Sequence, residues 1–329
     1  MLGIFYPYGL AMAAASAVAL LLSVRSFRRA GLKGDVLSRV AGLAVPLGFL
    51  GARLGYCLAA LDWVAQEGFL FFFQFSRGGY MLYGALAGGL LAAALAARLS
   101  GANFAKIVDA LAVPMLVMIA LGRLAEVFPN QGYGWGIQDW FTEDYGMSLI
   151  ALEDPSFFYR LPFGVPDMYD NYNWAVFVYE AIVACILAIV VYRAKVRRDG
   201  GRAVLALLTY AATQELCESL RQDAVLRWGF VRINQVLGAV IIVALLALCY
   251  AYTQPRRPGR LTLSAAGVVA GALLITAMEF ALEKKFSALE WVPMDVCYVF
   301  TTIGSLLLIL SVYPLWRDAF GPKAPAARA

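Results

Sequence analysis

Histidine is absent from this sequence of 329 residues. Its absence excludes imidazole general bases, histidine metal ligands and histidine-based pH switches. Cysteine is scarce, and no two of the five cysteines have the spacing of a metal site or a disulfide framework. Each lies in an apolar segment, which predicts small, buried hydrophobic side chains: Cys57, Cys185, Cys217, Cys249 and Cys297.

Charge is also scarce. Only 15% of the residues are charged, 62% are hydrophobic, and the mean hydropathy is +0.71. Soluble domains carry about 25% charged residues, so we predict an all-α integral membrane protein. The net charge of +5 is explained by the placement of basic residues described next. We therefore expect no nucleic-acid partner, and no metal or other cofactor.

Nine apolar runs are candidates for membrane-crossing helices, because the bilayer core needs about 20 residues. They cover residues 5–24, 38–61, 78–98, 106–125, 174–193, 203–222, 231–253, 262–281 and 292–315. Most lysines and arginines lie between alternate runs or in the tail, which predicts that those sides are cytoplasmic. No basic residue precedes the first run, so we expect an uncleaved span. The N-terminus is then outside and the C-terminus inside.

The predicted spans divide the chain into four parts. Residues 1–125 hold spans one to four, and 126–173 form a long extracytoplasmic loop. Residues 174–253 hold spans five to seven, and 254–329 add a two-helix hairpin and a tail. The loop is rich in Tyr, Trp and Phe, which favours an ordered head at the membrane surface. Its many acidic residues fit a solvated loop equally well.

Charged residues inside the spans are the strongest functional signal. Each costs about 2.5–3.5 kcal/mol at membrane depth, so such residues normally face a partner or a cavity. Asp109 and Glu180 fit either helix packing or function. Arginines near the predicted outer edge run against the usual charge distribution and suggest a bound anion, most simply a lipid phosphate. These arginines are Arg53, Arg77, Arg123 and Arg221.

Helical spacing groups several of these polar side chains. Residues at i, i+3 or i+4, and i+7 share one face of a helix. One predicted face carries Gln214, Glu218 and Arg221. The other carries Arg123, Glu126 and Asn130, provided that the fourth span continues past residue 125.

Six stretches resemble one known family, the bacterial prolipoprotein diacylglyceryl transferases. In chain order they are PYGLAM, FLGARLGYCL, RGGYMLYGALAGG, VDALAVPMLVMIALGRLAEVFPNQGYGWG, VYEA and TQELCESLRQD. The resemblance runs from Tyr8 to about Tyr252 and covers seven spans, so the last two spans fall outside it. It implies the membrane fold of that family, with the final hairpin as an addition.

The resemblance also implies an activity. Such enzymes move a diacylglyceryl group from phosphatidylglycerol to the lipobox cysteine thiol of a prolipoprotein, and glycerol phosphate leaves. The implied partners are phosphatidylglycerol, the prolipoprotein signal peptide and the bacterial cytoplasmic (inner) membrane. Two alternatives stay open: a non-catalytic paralogue that binds phospholipid or lipoprotein precursors, and a transferase with a different donor or acceptor. A transporter ranks last, because the sequence has no matching halves.

Site residues carry over from the resemblance one position at a time. The implied catalytic residues are Arg123, Glu218, Arg221, Tyr83 and Glu126. The implied substrate-binding residues are Tyr8, Arg53, Gly78, Gly79, Gln214 and Asn130. Three of these positions depart from the family pattern: Tyr83 replaces a histidine, Gln214 an arginine and Glu126 an asparagine.

The implied chemistry has two physical requirements. Charge that grows on the leaving phosphate must meet fixed donors, a role that Arg123 and Arg221 can fill. The thiol, with a pKa of about 8.5, must also lose its proton. Without histidine, the acceptor is Glu218, Glu126, a water on Tyr83 or the leaving phosphate. The phosphate and Glu126 are the preferred acceptors.

Overall fold

The computed structural model describes residues 6–142, 148–150, 152–167, 169–222, 226–228 and 231–322. These residues are mostly helical, and eight of their helices are long and apolar enough to cross a membrane. The prediction of an all-α integral membrane protein is confirmed. The described α-helices are α1 (Pro7–Arg29), α2 (Gly34–Ala59), α3 (Leu61–Glu67), α4 (Leu82–Ser100), α5 (Phe104–Ala125), α6 (Ile137–Phe141), α7 (Val176–Arg193), α8 (Gly201–Leu220), α9 (Ile233–Tyr252), α10 (Pro258–Leu282) and α11 (Met294–Phe320).

Helix α8 corresponds to the predicted span that is not among those eight. It has 20 residues, of which 14 are buried, whereas only 4 of the 23 residues of α1 are buried. Helices α5, α7, α9 and α11 pack around α8. A helix enclosed by protein has little contact with lipid and can carry polar residues if they find partners. This enclosure explains how a central helix tolerates such low hydropathy.

Two apolar clusters hold the bundle together. One joins α1, α2, α4 and α5, and the other joins α5 with α7 to α11. The α10–α11 hairpin packs against α8 and α9. Near one end of α8, the indole Nε1 of Trp316 donates to the carbonyl oxygen of Gly201 at 2.8 Å. Near the other end, the Tyr298 hydroxyl donates to the carbonyl oxygen of Ser219 at 3.2 Å. The hairpin therefore holds both ends of α8.

Short elements connect the long helices. Two 3₁₀ turns, Phe69–Phe73 and Phe75–Arg77, lie between α3 and α4. The long loop before α7 contains α6, a 3₁₀ turn at Ser156–Tyr159, and strands β1 (Gly164–Pro166) and β2 (Tyr172–Trp174), which pair antiparallel. A second antiparallel pair, β3 (Arg227–Trp228) and β4 (Val231–Arg232), joins α8 to α9.

Aromatic rings fill the described part of the long loop. Trp140 of α6 packs edge-on against Trp174 with the ring centroids 5.9 Å apart. The same Trp140 stacks on Tyr298 of α11 at 5.5 Å. Phe141 and Phe158 stack at 5.4 Å. These contacts tie the loop to the end of the bundle at which α5 and α8 end and α7 and α9 begin. We call this the site end.

Two residues noted in the sequence have structural outcomes. Asp109 lies in α5 and accepts hydrogen bonds from the backbone N–H groups of Gly200 at 2.8 Å and Ala203 at 2.9 Å. It therefore caps the N-terminus of α8, where a negative charge is favourable. The expectation that all five cysteines are buried is wrong for Cys185, which is exposed on α7, while the other four are buried.

Glycines allow α2 and α4 to pack with their backbones in contact. A Cβ on Gly51 would lie 2.5 Å from the carbonyl oxygen of Gly84. A Cβ on Gly88 would overlap the carbonyl oxygen of Leu47, whereas a Cβ on Gly89 would meet nothing within 4 Å. Small residues are used in this way at membrane helix contacts.

We expect Gly88→Ala to force α2 and α4 apart and to lower the thermal unfolding temperature in detergent. Overpacking of this kind costs about 1–3 kcal/mol. Gly89→Ala is the matched control, since it adds the same methyl group to the same helix in open space. Equal unfolding temperatures for the two variants would contradict the close packing of α2 and α4.

Candidate functional site

Arg123 lies in the last turn of α5, at the site end. Its Nη1 donates to Oε1 of Glu126 at 2.6 Å, and its Nε lies 3.0 Å from Oε2 of Glu180. Its Nη2 donates to Oε1 of Gln214 at 3.4 Å. The guanidinium is therefore oriented by three helices: α5 itself, α7 through Glu180 and α8 through Gln214.

Arg221 reaches the same two carboxylates from the end of α8. Its Nη2 lies 3.4 Å from Oε2 of Glu126, and its Nη1 lies 3.4 Å from Oε2 of Glu180. The Glu180 side chain is 1% exposed. Two arginines and two glutamates thus form one closed set, called here the charge cluster, in which the formal charges sum to zero.

The chain leaves helical geometry where the cluster forms. Helix α5 ends at Ala125, and Glu126 is its C-cap residue. The condition for placing Asn130 on the same helix face is not met, because α5 has ended by then and Asn130 has a φ of 52°. Arg221 is likewise the C-cap of α8, in an extended conformation. The extended backbone allows the Arg221 side chain to turn inward, whereas Glu126 still has helical backbone angles and meets Arg123 at i, i+3.

A glycine makes room for Glu126. Gly132 has a φ of 72°, and a Cβ there would overlap Oε2 of Glu126. The carbonyl of Gly132 also accepts from the backbone N–H of Phe177 at 2.7 Å, which ties the loop to the start of α7. The loop therefore holds Glu126 against the start of α7, which carries Glu180.

Buried polar groups surround the charge cluster. Glu218 accepts from Nδ2 of Asn234 at 2.8 Å. Within the part of the chain that the structure describes, several buried polar atoms make no hydrogen bond. They include the hydroxyl of Tyr83, Oδ1 of Asn234 and Oε1 of Glu180. Unsatisfied buried groups are costly and are a feature of sites that bind polar ligands.

The structure brings most of the predicted catalytic residues together. Arg123, Arg221 and Glu126 belong to the charge cluster itself, and Glu218 lies within electrostatic reach of Arg123. Tyr83 interacts electrostatically with Arg123 and Glu218.

Among the predicted binding residues, Gln214 contacts Arg123, and Tyr8 of α1 lies within electrostatic reach of Arg123 and Glu126. Asn130 is half-buried in the turn that follows α5. Its backbone N–H donates to the carbonyl oxygen of Val127, with 3.4 Å between nitrogen and oxygen.

Arg53, Gly78 and Gly79 form a separate group. Arg53 is fully buried and donates to the carbonyls of Phe71 at 2.5 Å, Phe72 at 3.1 Å and Gly79 at 3.1 Å, and also to the carbonyl of Gly78. Both glycines have positive φ, 72° and 78°. Arg53 is predicted to bind substrate, but these contacts fit a role in bracing the segment before α4.

Sequence reasoning left Glu180 out of the site. It lies in VYEA, a stretch that resembles the family, so a signal was present. Asn234, Arg232 and Glu279 were also missed. Glu279 belongs to the hairpin outside the resemblance, and only its charge inside a predicted span marked it.

Arg232 and Glu279 brace the end of α8 from behind. Nη1 of Arg232 donates to the carbonyl of Arg221 at 2.8 Å and also to the carbonyl of Glu218. Nε of Arg232 lies 3.6 Å from Oε2 of Glu279. Oε1 of Glu279 accepts from Nε2 of Gln235 at 2.9 Å and from the Ser219 hydroxyl. A carboxylate of the hairpin therefore supports the backbone that carries Arg221.

Similarity to known proteins is found for the helical bundle and stops before the α10–α11 hairpin. The family model for prolipoprotein diacylglyceryl transferase matches residues 3–251. Helices α1 to α9 lie within that match except for the last residue of α9, and α10 and α11 lie beyond it. The charge cluster lies wholly inside the matched part.

Curated relatives named phosphatidylglycerol–prolipoprotein diacylglyceryl transferase match about three quarters of this chain. The Listeria innocua protein is 25% identical over 246 residues, 73% of this chain and 83% of the relative. The Clostridioides difficile protein is 25% identical over 239 residues, 72% and 86% of the two chains. The Symbiobacterium thermophilum protein is 27% identical over 262 residues, which are 77% of this chain and 90% of the relative. The resemblance noted in the sequence is confirmed, and this chain belongs to the prolipoprotein diacylglyceryl transferase family.

Proposed function

We propose that this membrane protein transfers a diacylglyceryl group from phosphatidylglycerol to the lipobox cysteine thiol of a prolipoprotein. The observation that carries the proposal is the placement of Arg123 and Arg221 on the same two carboxylates, at the end of a buried helix. Two guanidinium groups held this close can bind one phosphate from two sides. The reaction then takes place at the site end, which the distribution of basic residues predicts to be outside the bacterial cytoplasmic membrane.

In the proposed complex, the lipid phosphate takes the place of one of the two carboxylates that contact Arg123 and Arg221. Glu126 lies between the two guanidinium groups, at 2.6 Å from Nη1 of Arg123 and 3.4 Å from Nη2 of Arg221. It is part of a turn rather than a helix, so it can move more easily than Glu180 on α7. We infer that the phosphate of the lipid replaces Glu126, while Glu180 keeps both arginines in place.

The reaction forms one bond and breaks one bond. The sulfur attacks the glycerol carbon that bears the phosphate, a C–S bond forms, and the C–O bond to the phosphate breaks. The phosphate oxygen keeps the electron pair of that bond and leaves as glycerol phosphate. Arg123 and Arg221 stabilise its growing negative charge. In many enzymes such electrostatic stabilisation of the transition state makes the largest contribution to the rate enhancement. The proton of the thiol passes to an acceptor in the site.

Several acceptors remain in the proposal. Glu126 is engaged by both arginines, so it must leave one of them before it accepts a proton. Glu218 accepts from Asn234, and the Tyr83 hydroxyl makes no hydrogen bond with the described residues. The leaving phosphate is the simplest acceptor, because the proposed site already places it beside the reacting sulfur.

A non-catalytic lipid-binding protein is the second candidate. Tyr83 and Gln214 stand where the family has a histidine and an arginine, and the two remaining arginines are neutralised by Glu126 and Glu180. Release of glycerol phosphate from phosphatidylglycerol separates an enzyme from a binder. Complementation of a strain depleted of its housekeeping transferase separates this activity from a transferase with another donor or acceptor.

Arg123→Ala should abolish transfer. We expect a loss of at least about 100-fold, as when one fixed donor to a developing oxyanion is removed. The measurement is the mass gain of a synthetic lipobox peptide incubated with purified protein and phosphatidylglycerol. Arg260→Ala is the matched control, because Arg260 pairs with Asp318 in the hairpin, beyond the family match. Full activity of Arg123→Ala would exclude the proposed role of the arginine.

Glu126→Gln should strengthen the binding of phosphatidylglycerol. The substitution leaves the charge cluster with an excess positive charge, and a gain of about tenfold is reasonable for one nearby carboxylate. Titration of the purified protein with short-chain phosphatidylglycerol, followed by native mass spectrometry, gives the affinity. Weaker binding would mean that Glu126 orients the arginines instead of competing with the phosphate.

Glu279→Gln should lower kcat more than it raises KM. The variant keeps the size of the side chain but loses the ionic contact with Arg232, so the backbone that carries Arg221 is less well fixed. Misplacement of a catalytic group can cost about tenfold or more. Glu279→Asp should recover part of the loss, and Asp318→Asn, in the same hairpin, is the control. Equal kcat for Glu279→Gln and wild type would show that the brace is dispensable.

A further inference from the structure

A cleft of about 210 Å³ lies between the family bundle and the added hairpin. One wall belongs to α9, with Val236 and Val243, and the other to α10, with Ala272 and Ile275. Val236 and Val243 are 39% and 55% exposed, so the cleft opens on the surface that lipid covers. Helix α10 begins at Pro258, so this wall lies beyond the residues that the family model matches.

The closed end of the cleft is polar. Glu215, Arg232, Gln235 and Glu279 line it. Glu215 is 4% exposed, and its Oε1 has no hydrogen-bond partner among the described residues. Arg232 is 2% exposed, and its Nε makes no hydrogen bond there. Nε of Arg232 is 3.6 Å from Oε2 of Glu279, an ionic contact that is too long for a hydrogen bond. The cleft therefore offers one buried acceptor and one buried donor that make no hydrogen bond with the described residues.

A glycine leaves room for the Glu215 side chain in this position. A Cβ on Gly238 of α9 would lie 2.5 Å from Oε1 of Glu215. The other polar groups at this end are already engaged. Nε2 of Gln235 donates to Glu279 and to the carbonyl of Glu215, at 2.9 Å each. Ligand contacts are therefore left to Glu215 and to Nε of Arg232.

Charge limits what can bind. A phosphate at this end would face two carboxylates, Glu215 and Glu279, and an amine would compete with Arg232 for Glu279. An uncharged head group that has both a hydroxyl and a carbonyl matches the two unsatisfied atoms. An aliphatic chain matches the walls, which are apolar along α9 and α10.

We propose that this cleft binds an uncharged glyceride, such as a monoacylglycerol. Its acyl chain lies between α9 and α10, its free hydroxyl donates to Glu215, and its ester carbonyl accepts from Nε of Arg232. This site differs from the charge cluster in residues and in ligand charge. Through Arg232 it contacts the backbone of Arg221, so an occupied cleft rigidifies the brace behind the charge cluster.

The test uses the full-length protein in detergent and a monoacylglycerol that carries a photoreactive diazirine in its acyl chain. Mass spectrometry of the labelled protein should locate the probe on α9 and α10. Ala272→Trp fills the cleft and should reduce labelling at least about tenfold, since the bound chain loses its space. Leu273→Trp, one residue along α10 on a side chain that is 65% exposed, is the matched control and should be labelled like wild type.

A second variant tests the head group without filling the cleft. Glu215→Gln replaces a charge-assisted hydrogen bond with a neutral one, and labelling should fall about fivefold. Phosphatidylglycerol with the same diazirine chain serves as the anionic comparison. The proposal is overturned if Ala272→Trp and Leu273→Trp are labelled equally. It is also overturned if the phosphatidylglycerol probe labels the same peptides as strongly.

Labelling of the cleft by the monoacylglycerol probe does not depend on the proposed transferase activity. Arg123→Ala, which should abolish transfer, should leave monoacylglycerol labelling unchanged, because Arg123 does not line the cleft. Loss of labelling in that variant would mean that the probe occupies the charge cluster, and the separate site would then be rejected.

Discussion

Two carboxylates that are shared by two arginines, the buried Glu180 and the half-buried Glu126, are the constraint on which this structure depends. Four charges at membrane depth are tolerated only when each has partners, since an isolated charge there costs several kcal/mol. Glu126 and Glu180 each contact both Arg123 and Arg221, so loss of any one group leaves the others uncompensated. The end of α5, the start of α7 and the end of α8 must therefore meet at one point. Because the cluster is neutral and its arginines point inward, an anion can enter by exchange with a carboxylate.

Burial of α8 follows from the same constraint. A helix that carries Gln214, Glu215 and Glu218 cannot face lipid, and α8 is enclosed by α5, α7, α9 and α11. The added hairpin completes this enclosure. It bonds to both ends of α8 through Trp316 and Tyr298, and Glu279 supports the residues behind Arg221. The hairpin is thus part of the scaffold of the site, and the cleft it forms with α9 is a product of the same packing.

Composition and apolar runs were sufficient to predict the fold class, because spanning helices have a strong signal in hydropathy. Charge inside the apolar runs and helical spacing marked the arginines and Glu218, and the resemblance implied their roles. What the sequence could not predict depends on chain geometry after a helix ends. Arg221 leaves helical geometry at the C-cap of α8, so helical spacing could not place its side chain. Glu126, the C-cap of α5, still has helical backbone angles and keeps the i, i+3 contact with Arg123 that helical spacing predicts. Contacts of the hairpin, such as Glu279 with Gln235, join distant parts of the chain that no motif relates. Arg53 lies in a stretch that resembles the family, yet its contacts are with backbone carbonyl groups, which the motif did not predict.

The most direct measurement of the central claim is the contact between lipid phosphorus and arginine nitrogen. Solid-state NMR with ¹⁵N-labelled arginine and bound phosphatidylglycerol reports ³¹P–¹⁵N dipolar coupling. The account predicts coupling to guanidinium nitrogens in the wild-type protein, and its loss when Arg123 and Arg221 are both replaced by lysine, since only arginine then carries the label. Coupling that persists unchanged in the double variant, or that is absent from the wild type, would contradict a phosphate held between these two arginines.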